Sequence, residues 1–373
     1  MKLSSFTQGR NNNFNLIRIV AALAVLITHS FDLVGSADPV GQSLGMTMGS
    51  IAVDVFFITS GFLVTASLLT RKSVTEFIWA RVLRIYPALL VLVIFTVFAL
   101  GVYFTTLPLS TYFTSSRTYT YLLKCSTLIS SGLPFKLPGV FENNPYKSAV
   151  NGSIWTMPYE VRMYVILAAV WFALRITRNY KLKAFQLIII TYAVLSGIYV
   201  LAIPFYFPTI NYLVKFSFMF FTGASFYILK DHIHLSSLLF WLMVIALAFA
   251  IGNLRLFYVI YTLSIAYLLF FVAYVPAGQI RKYNQLGDYS YGIYIYAFPV
   301  QQSVAALIPG VSVVNMILIS AAVSILLAII SWHFVERRAL SLKEHYVGHT
   351  RRWFFLKHLT QNRAAAISDQ SEK

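Results

Sequence analysis

Residues 15–32 read NLIRIVAALAVLITHSFD. The run is apolar over a membrane-spanning length, yet Arg18 stands near one end and His29 near the other. An arginine at the centre of such a helix costs about 2.5 kcal/mol or more, so an ionisable group there points to function. Eleven residues at 1.5 Å each put Arg18 and His29 about 16 Å apart along the axis, three turns on nearly one face. Hydrocarbon is about 30 Å thick. One helix therefore offers a fixed cation toward one surface and a titratable imidazole toward the other. The competing reading is structural: Arg18 snorkels to the interface and His29 bonds a neighbouring helix.

The rest of the chain agrees with a membrane setting. It has 373 residues, 58% hydrophobic and 11% charged, where a soluble chain carries about 25% charged residues. Apolar runs of spanning length fall near 14–34, 48–70, 83–105, 153–174, 184–206, 211–229, 235–252, 254–275, 286–308 and 312–335. With the N-terminus inside, most of the 29 Lys and Arg fall on the inner side. Only Arg117, Lys124, Lys136, Lys147 and Arg255 fall outside. The positive-inside rule favours that orientation. The expected fold class is all-α: a polytopic transmembrane bundle of about ten spans with both termini cytoplasmic. The net charge of +17 then reflects topology, and no nucleic-acid partner is expected. The first span lacks a small-residue cleavage site and is expected to be retained.

Residues 1–338 read as one membrane domain and 339–373 as a basic cytoplasmic tail. The tail's Trp353–Leu356 patch is expected on the inner leaflet, and the end from about Arg363 to be disordered. The long outer loop, 106–152, is of the kind that is functional or disordered. Its Pro134, Pro138, Pro145 and Gly139 argue against long helices. Asn151-Gly152-Ser153 matches a glycosylation sequon but abuts a span, and is expected to be unused. Cys125, the one cysteine, lacks a motif and is not proposed as a nucleophile.

Depth reckoning groups the polar residues. His29, Asp54 and Glu160 each fall about 20 Å above the inner boundary at 1.5 Å per residue. A histidine beside one or two carboxylates suits a general base, because a carboxylate fixes the tautomer and raises the basicity of the ring. Arg162, two residues past Glu160, is placed to neutralise one acid. Near the inner boundary, Arg18 is joined by Arg81 and Arg84, which share a helix face at i, i+3. Arginine forks suit phosphate. The three form a candidate cytoplasmic anion site, although the positive-inside excess alone explains many inner arginines. A phosphorylated donor such as acyl-CoA fits this geometry, with its phosphates on the arginines and its reactive end beside His29. His232-x-His234 lacks further metal ligands, so no metal site is assigned. Ser60-Gly61 reads as close packing between small residues.

Six stretches in order resemble the acyltransferase-3 family of integral membrane O-acyltransferases, which modify bacterial surface glycans. They are Arg18-x10-His29, GSIAVDVFFITSGFL at 49–63, ARVLRIYP at 80–87, SIWTMPYEVRMY at 153–164, LGDYSYGIYIYAFPV at 286–300 and FVERRAL at 334–340. The resemblance covers about residues 14–340. It implies transfer of an acyl group, usually acetyl, from cytoplasmic acyl-CoA to a glycan hydroxyl. It implies a bacterial inner-membrane location and no permanently bound cofactor. It maps the family histidine to His29, the preceding arginine to Arg18, the paired arginines to Arg81 and Arg84, and the fourth-span glutamate to Glu160. Three positions depart from many members: Ala297 stands in place of a histidine, Arg338 in place of a proline and Asn15 in place of an aspartate.

The expected catalytic group is therefore His29 with Glu160 and Asp54. Arg18, Arg81 and Arg84 are expected to hold acyl-CoA. The acceptor is expected to be a glycan or lipid-linked oligosaccharide handled by the membrane core and the 106–152 loop. Two rivals use the same residues differently. A proton-coupled transporter or flippase also needs intramembrane ionisable groups, but shows broken helices repeated in two halves, which this chain lacks. A glycan-binding scaffold needs no inner arginine floor.

Overall fold

A computed structural model describes residues 1–352 except 8, 10, 72, 131, 148, 177–181 and 207–210. The expected Trp353–Leu356 patch and the end of the tail lie outside the described residues. Ten principal helices coincide with the ten apolar runs: α1 Phe14–Val34, α2 Met48–Arg71, α3 Val74–Phe95, α4 Met157–Ile176, α5 Leu182–Tyr206, α6 Tyr212–Ile228, α7 Ser237–Ala250, α8 Leu254–Tyr274, α9 Ser290–Leu307 and α10 Val313–Ser331. Seven of these stretches are long and apolar enough to cross a membrane, while α6 and α7 are shorter apolar helices. α9 differs in kind. It is buried almost all round and carries Tyr and Gln into the interior. The molecule is an all-α polytopic membrane protein. Among the described residues there are no strands, only isolated bridges at Lys2–His234 and Thr105–Val140.

α1 lies between α2 and α9, and α2 packs in turn on α6. Buried polar contacts hold α1 on both flanks of His29. Thr28 Oγ1 accepts from the Gly49 N–H of α2 at 2.8 Å. Gln301 Nε2 of α9 donates to the Leu26 carbonyl at 2.8 Å and to Ser30 Oγ at 2.7 Å. α2 and α6 cross at reciprocal glycines, as Ser60-Gly61 implies. A Cβ on Gly61 would stand 1.8 Å from the Phe220 carbonyl oxygen, and one on Gly223 2.0 Å from that of Ile58. Small residues let helix backbones approach where lipid supplies no hydrophobic drive between them.

The outer loop packs against the bundle. It forms two short helices, Leu109–Thr114 and Ser116–Thr127, and the described residues of the proline-bearing segment after them form none. Tyr112, Tyr121 and Cys125 are buried. Its end is tied to α9 by a proline. Pro299 has no N–H, so the Ile295 carbonyl four residues earlier loses its helical partner. Asn151 Nδ2 donates to that carbonyl at 3.1 Å. The sequon asparagine is thus 1% exposed and has no room for a glycan. The tail is docked rather than loose up to 352. Trp79 stacks on Tyr346 at 4.7 Å and donates to Thr350 Oγ1 at 2.9 Å, while Arg351 pairs with Glu76 at 2.7 Å.

The α2–α6 crossing leaves no space for a side chain. Gly61→Val and Gly223→Val should each lower stability by about 1–3 kcal/mol or more, as overpacking does. Gly348→Ala, whose Cβ meets nothing within 4 Å, should be neutral or gain up to about 1 kcal/mol. Thermal unfolding of the detergent-solubilised protein checks all three.

Candidate active site

The inner arginines meet carboxylates that depth reckoning did not supply. Asp288, two residues before α9, places Oδ2 2.9 Å from Arg18 Nη1 and 2.6 Å from Arg84 Nη2. Arg84 Nη1 lies 2.8 Å from Glu336 Oε2. Glu336 is 1% exposed. It sits in a π-turn, Trp332–Glu336, that continues α10, and its other oxygen accepts from Ser331 at 3.1 Å. The Arg84 guanidinium also lies over the rings of Tyr291 and Trp332, at 5.5 and 5.8 Å. Two arginines and two carboxylates thus join α1, α3, α9 and α10. Arg18 and Arg84 are not bare guanidiniums, because each already holds an acid. Arg81 stands apart from this cluster, over the Tyr164 ring at 5.7 Å.

Glu160 belongs with this inner group, not with His29. Its Oε1 accepts from Ser60 at 3.2 Å and from the Tyr164 hydroxyl. It lines a small cavity, about 40 Å³, with Arg18, Phe56, Ser60, Thr156 and Tyr291. The depth count fails here for a physical reason. It took residue 153 as the outer boundary, but the chain has already entered the bundle by then. Asn151 bonds the Ile295 carbonyl and Thr156 meets the Tyr294 hydroxyl at 2.6 Å. α4 therefore begins inside the bundle. Arg162 does not neutralise either acid: among the described residues it forms no ion pair with Glu160 or Asp54, and it lies over the Tyr159 ring at 5.7 Å.

His29 opens on a second cavity, about 190 Å³, shared with Thr28, Asp32, Ser50, Trp155, Tyr212 and Lys215. Val53 and Tyr294 line both cavities and separate them. The carboxylate nearest His29 is Asp32, one turn along α1. Its Oδ2 is 3.7 Å from Nδ1, an electrostatic contact too long for a hydrogen bond. Phe298 packs edge-on against the imidazole at 5.1 Å. Asp54 does not reach His29 as a partner. It is fully buried, with Oδ2 3.0 Å from Lys215 Nζ and 3.0 Å from the Tyr261 hydroxyl. The single His29–Asp54–Glu160 chamber is therefore replaced by two stacked cavities, one holding Glu160 and the other His29. Among the described residues no three His, Cys, Asp or Glu side chains come together in a metal-binding group.

The family model described as an acyltransferase domain matches residues 11–335. The chain belongs to the acyltransferase-3 family. It is similar to a protein of Shigella phage Sf6 named O-acetyl transferase, with 28% identity over 89% of this chain and 97% of the relative. It is also similar to nodulation protein 10 of Rhizobium leguminosarum bv. viciae, with 27% identity over 92% of this chain and 96% of the relative. No solved structure matches significantly.

Three residues of this acyltransferase's two cavities and floor, Asp32, Asp288 and Lys215, carry roles that the sequence reading does not assign them. Asp32 lies in the opening stretch itself, at the i+3 position to His29, a spacing that marks helical neighbours. Asp288 lies inside a quoted family motif; an acid facing an arginine floor is what charge balance in a low dielectric demands. Glu336, at the inner end of the last span, is expected from the sequence to pair with a nearby arginine, Arg337 or one of the floor, and it pairs with Arg84. Lys215 was visible as a cation inside a span, which is itself a signal.

Asp288 is largely enclosed between two arginines, its side chain 14% exposed, whereas the Asp32 side chain is 50% exposed. Asp288→Asn should cost about 3–5 kcal/mol, since removing one partner strands buried charge. Asp32→Asn should cost no more than about 1 kcal/mol. The ratio of the two melting-point shifts tests the assignment. The buried Cys125 thiol is pushed up to about 12 by desolvation, so it stays protonated, and unreactive, well above neutral pH. Maleimide at pH 8 should label Cys125 only after denaturation, and Cys125→Ala should keep full activity.

Proposed function

We propose that this acyltransferase moves an acyl group, specifically acetyl, from cytoplasmic acyl-CoA to a hydroxyl of a cell-envelope or exported carbohydrate, working from the bacterial inner membrane. The carrying observation is the axis of α1. His29 with Asp32 faces the outer cavity, and Arg18 faces the inner one three turns away. The outer cavity suits a sugar: Trp155, Tyr212 and Tyr294 offer ring faces, and Thr28, Ser50 and Asp32 offer polar groups. The name of the phage relative supports O-acetyl transfer, and the phage and Rhizobium relatives support a bacterial setting.

In this reading His29 is the general base. Its free ring nitrogen takes the proton of the acceptor hydroxyl as the oxygen attacks the thioester carbonyl. Collapse of the tetrahedral intermediate expels the CoA thiolate, and the imidazolium returns the proton to sulfur. Asp32 stabilises the imidazolium. Arg18, Arg81 and Arg84 receive the donor's phosphates. Buried Nε–H groups of Arg18 and Arg81 are without partners among the described residues, so donor sites are in place beside the existing ion pairs. Glu160 holds the inner cavity's charge balance against Arg18 and Arg81. The inner cavity has room for about one or two waters and must open to admit a pantetheine arm. Acyl-CoA is a substrate here, not a resident cofactor.

Mass spectrometry of the surface glycan tests the proposal. Deleting the chain should remove a mass of one acetyl group, and the wild-type chain should restore it. His29→Ala should lower transfer by about 10²–10⁴-fold. Asp32→Asn should lower it by less than about tenfold, the value of a half-exposed ion pair near 1 kcal/mol. Full acetylation by His29→Ala would remove the general base from the scheme.

A further inference from the structure

Lys215 lies in the first turn of the apolar helix α6 and is 6% exposed. Among the described residues its one ion-pair partner is Asp54, at 3.0 Å. Asp54 is itself fixed by Tyr261, at 3.0 Å to the same oxygen, and leaves Oδ1 buried and unpartnered. An ammonium has three N–H donors. One is spent on Asp54. The side chain lines the outer cavity with His29, Asp32 and Ser50, and among the described residues the ammonium makes no hydrogen bond besides that to Asp54, so its remaining donors are available to a group in the space where the hydroxyl is deprotonated. A cation held in a desolvated site, anchored from behind and open in front, is built to meet negative charge that develops during a reaction.

We infer that Lys215 is a catalytic residue, the donor that stabilises the oxyanion of the tetrahedral intermediate opposite His29, with Asp54 and Tyr261 as the positioning residues behind it. The inference rests on the acyl-transfer reading above. The balance is simple. The acceptor oxygen forms its bond to the thioester carbon, and the carbonyl π pair moves onto oxygen, where the ammonium donates to it. The pair returns as the C–S bond breaks. His29 carries the proton from hydroxyl to sulfur, and Lys215 stays protonated throughout. This role differs from binding an anionic acceptor, because the oxyanion exists only during the reaction. Lys215 should therefore act on kcat and leave KM nearly unchanged.

Removing the lysine alone strands Asp54, so the decisive variant removes both charges. Purified full-length protein is given labelled acetyl-CoA and de-O-acetylated surface polysaccharide from the source strain. Lys215→Met and the double variant Asp54→Asn/Lys215→Met should both lose about 10²–10³-fold in kcat, the usual cost of a lost oxyanion donor. KM for either substrate should move by less than about threefold, a small change for a group acting only in the transition state. The double variant should melt near the wild type, since replacing both members of a buried pair is tolerated. Recovery of wild-type kcat in the double variant would show that the pair only holds the fold, and would overturn the assignment. A raised KM for the polysaccharide with kcat unchanged would overturn it in favour of acceptor binding. Failure of both variants to fold would also assign the pair to structure. If the wild type itself transfers no acetyl group, the acyl-transfer reading fails, and that result is distinct from all of these.

Discussion

One oxygen atom, Asp288 Oδ2, sits between the guanidinium groups of Arg18 and Arg84. Two like charges brought together in a low-dielectric interior repel strongly, so α1 and α3 can converge only with a carboxylate between them. The loop leading into α9 supplies it, and Glu336 from the turn after α10 closes the set. This constraint positions α1 along its own axis. His29 follows from it, because three turns of helix separate the floor from the outer cavity. The flanking bonds from Gly49 and Gln301 then fix its rotation.

How much of this could be read from the chain depended on what each signal measures. Helix positions came almost whole, since spanning helices in lipid must be continuous apolar runs. The α2–α6 contact was foreshadowed by Ser60-Gly61, for a small residue in a span has few other uses. Depth misled for Glu160, whose helix begins inside the bundle after the chain has bonded to α9. Lateral neighbours were not legible. Asp54 and His29 share a level, yet Asp54 turns to Lys215 and Tyr261 on other helices. Nothing in the spacing of α2 reports which side of the bundle its acid faces.

Charge balance would have narrowed the gap. Spacing alone names no acid beside the floor arginines: Asp32, in the span of Arg18, lies at the far end of that helix and faces His29. A guanidinium inside the membrane needs a counter-charge from somewhere, and Asp288 and Glu336 stood in two of the quoted motifs. The same reasoning applies above. Lys215 and Asp54 are a cation and an acid within apolar runs, and each is the other's requirement.

The two cavities raise a mechanical question that the wall between them answers in part. The proposed acyl transfer needs the thioester carbon and the acceptor oxygen in contact, yet Val53 and Tyr294 stand between the cavities proposed for donor and acceptor, lining both. Tyr294 is held by Thr156 at 2.6 Å. The next residue, Ile295, has a carbonyl released from its helix by Pro299 and taken up by Asn151. α9 therefore lacks an internal hydrogen bond beside the residue that carries the wall; Asn151 supplies its replacement and Thr156 holds the Tyr294 hydroxyl. The segment 151–156 connects the outer loop to α4. Phe298, on the same stretch of α9, touches His29 on one side and Tyr146 of the loop on the other. For acyl group and hydroxyl to meet, the wall has to yield, and the segment that ends the outer loop holds both of its fastenings.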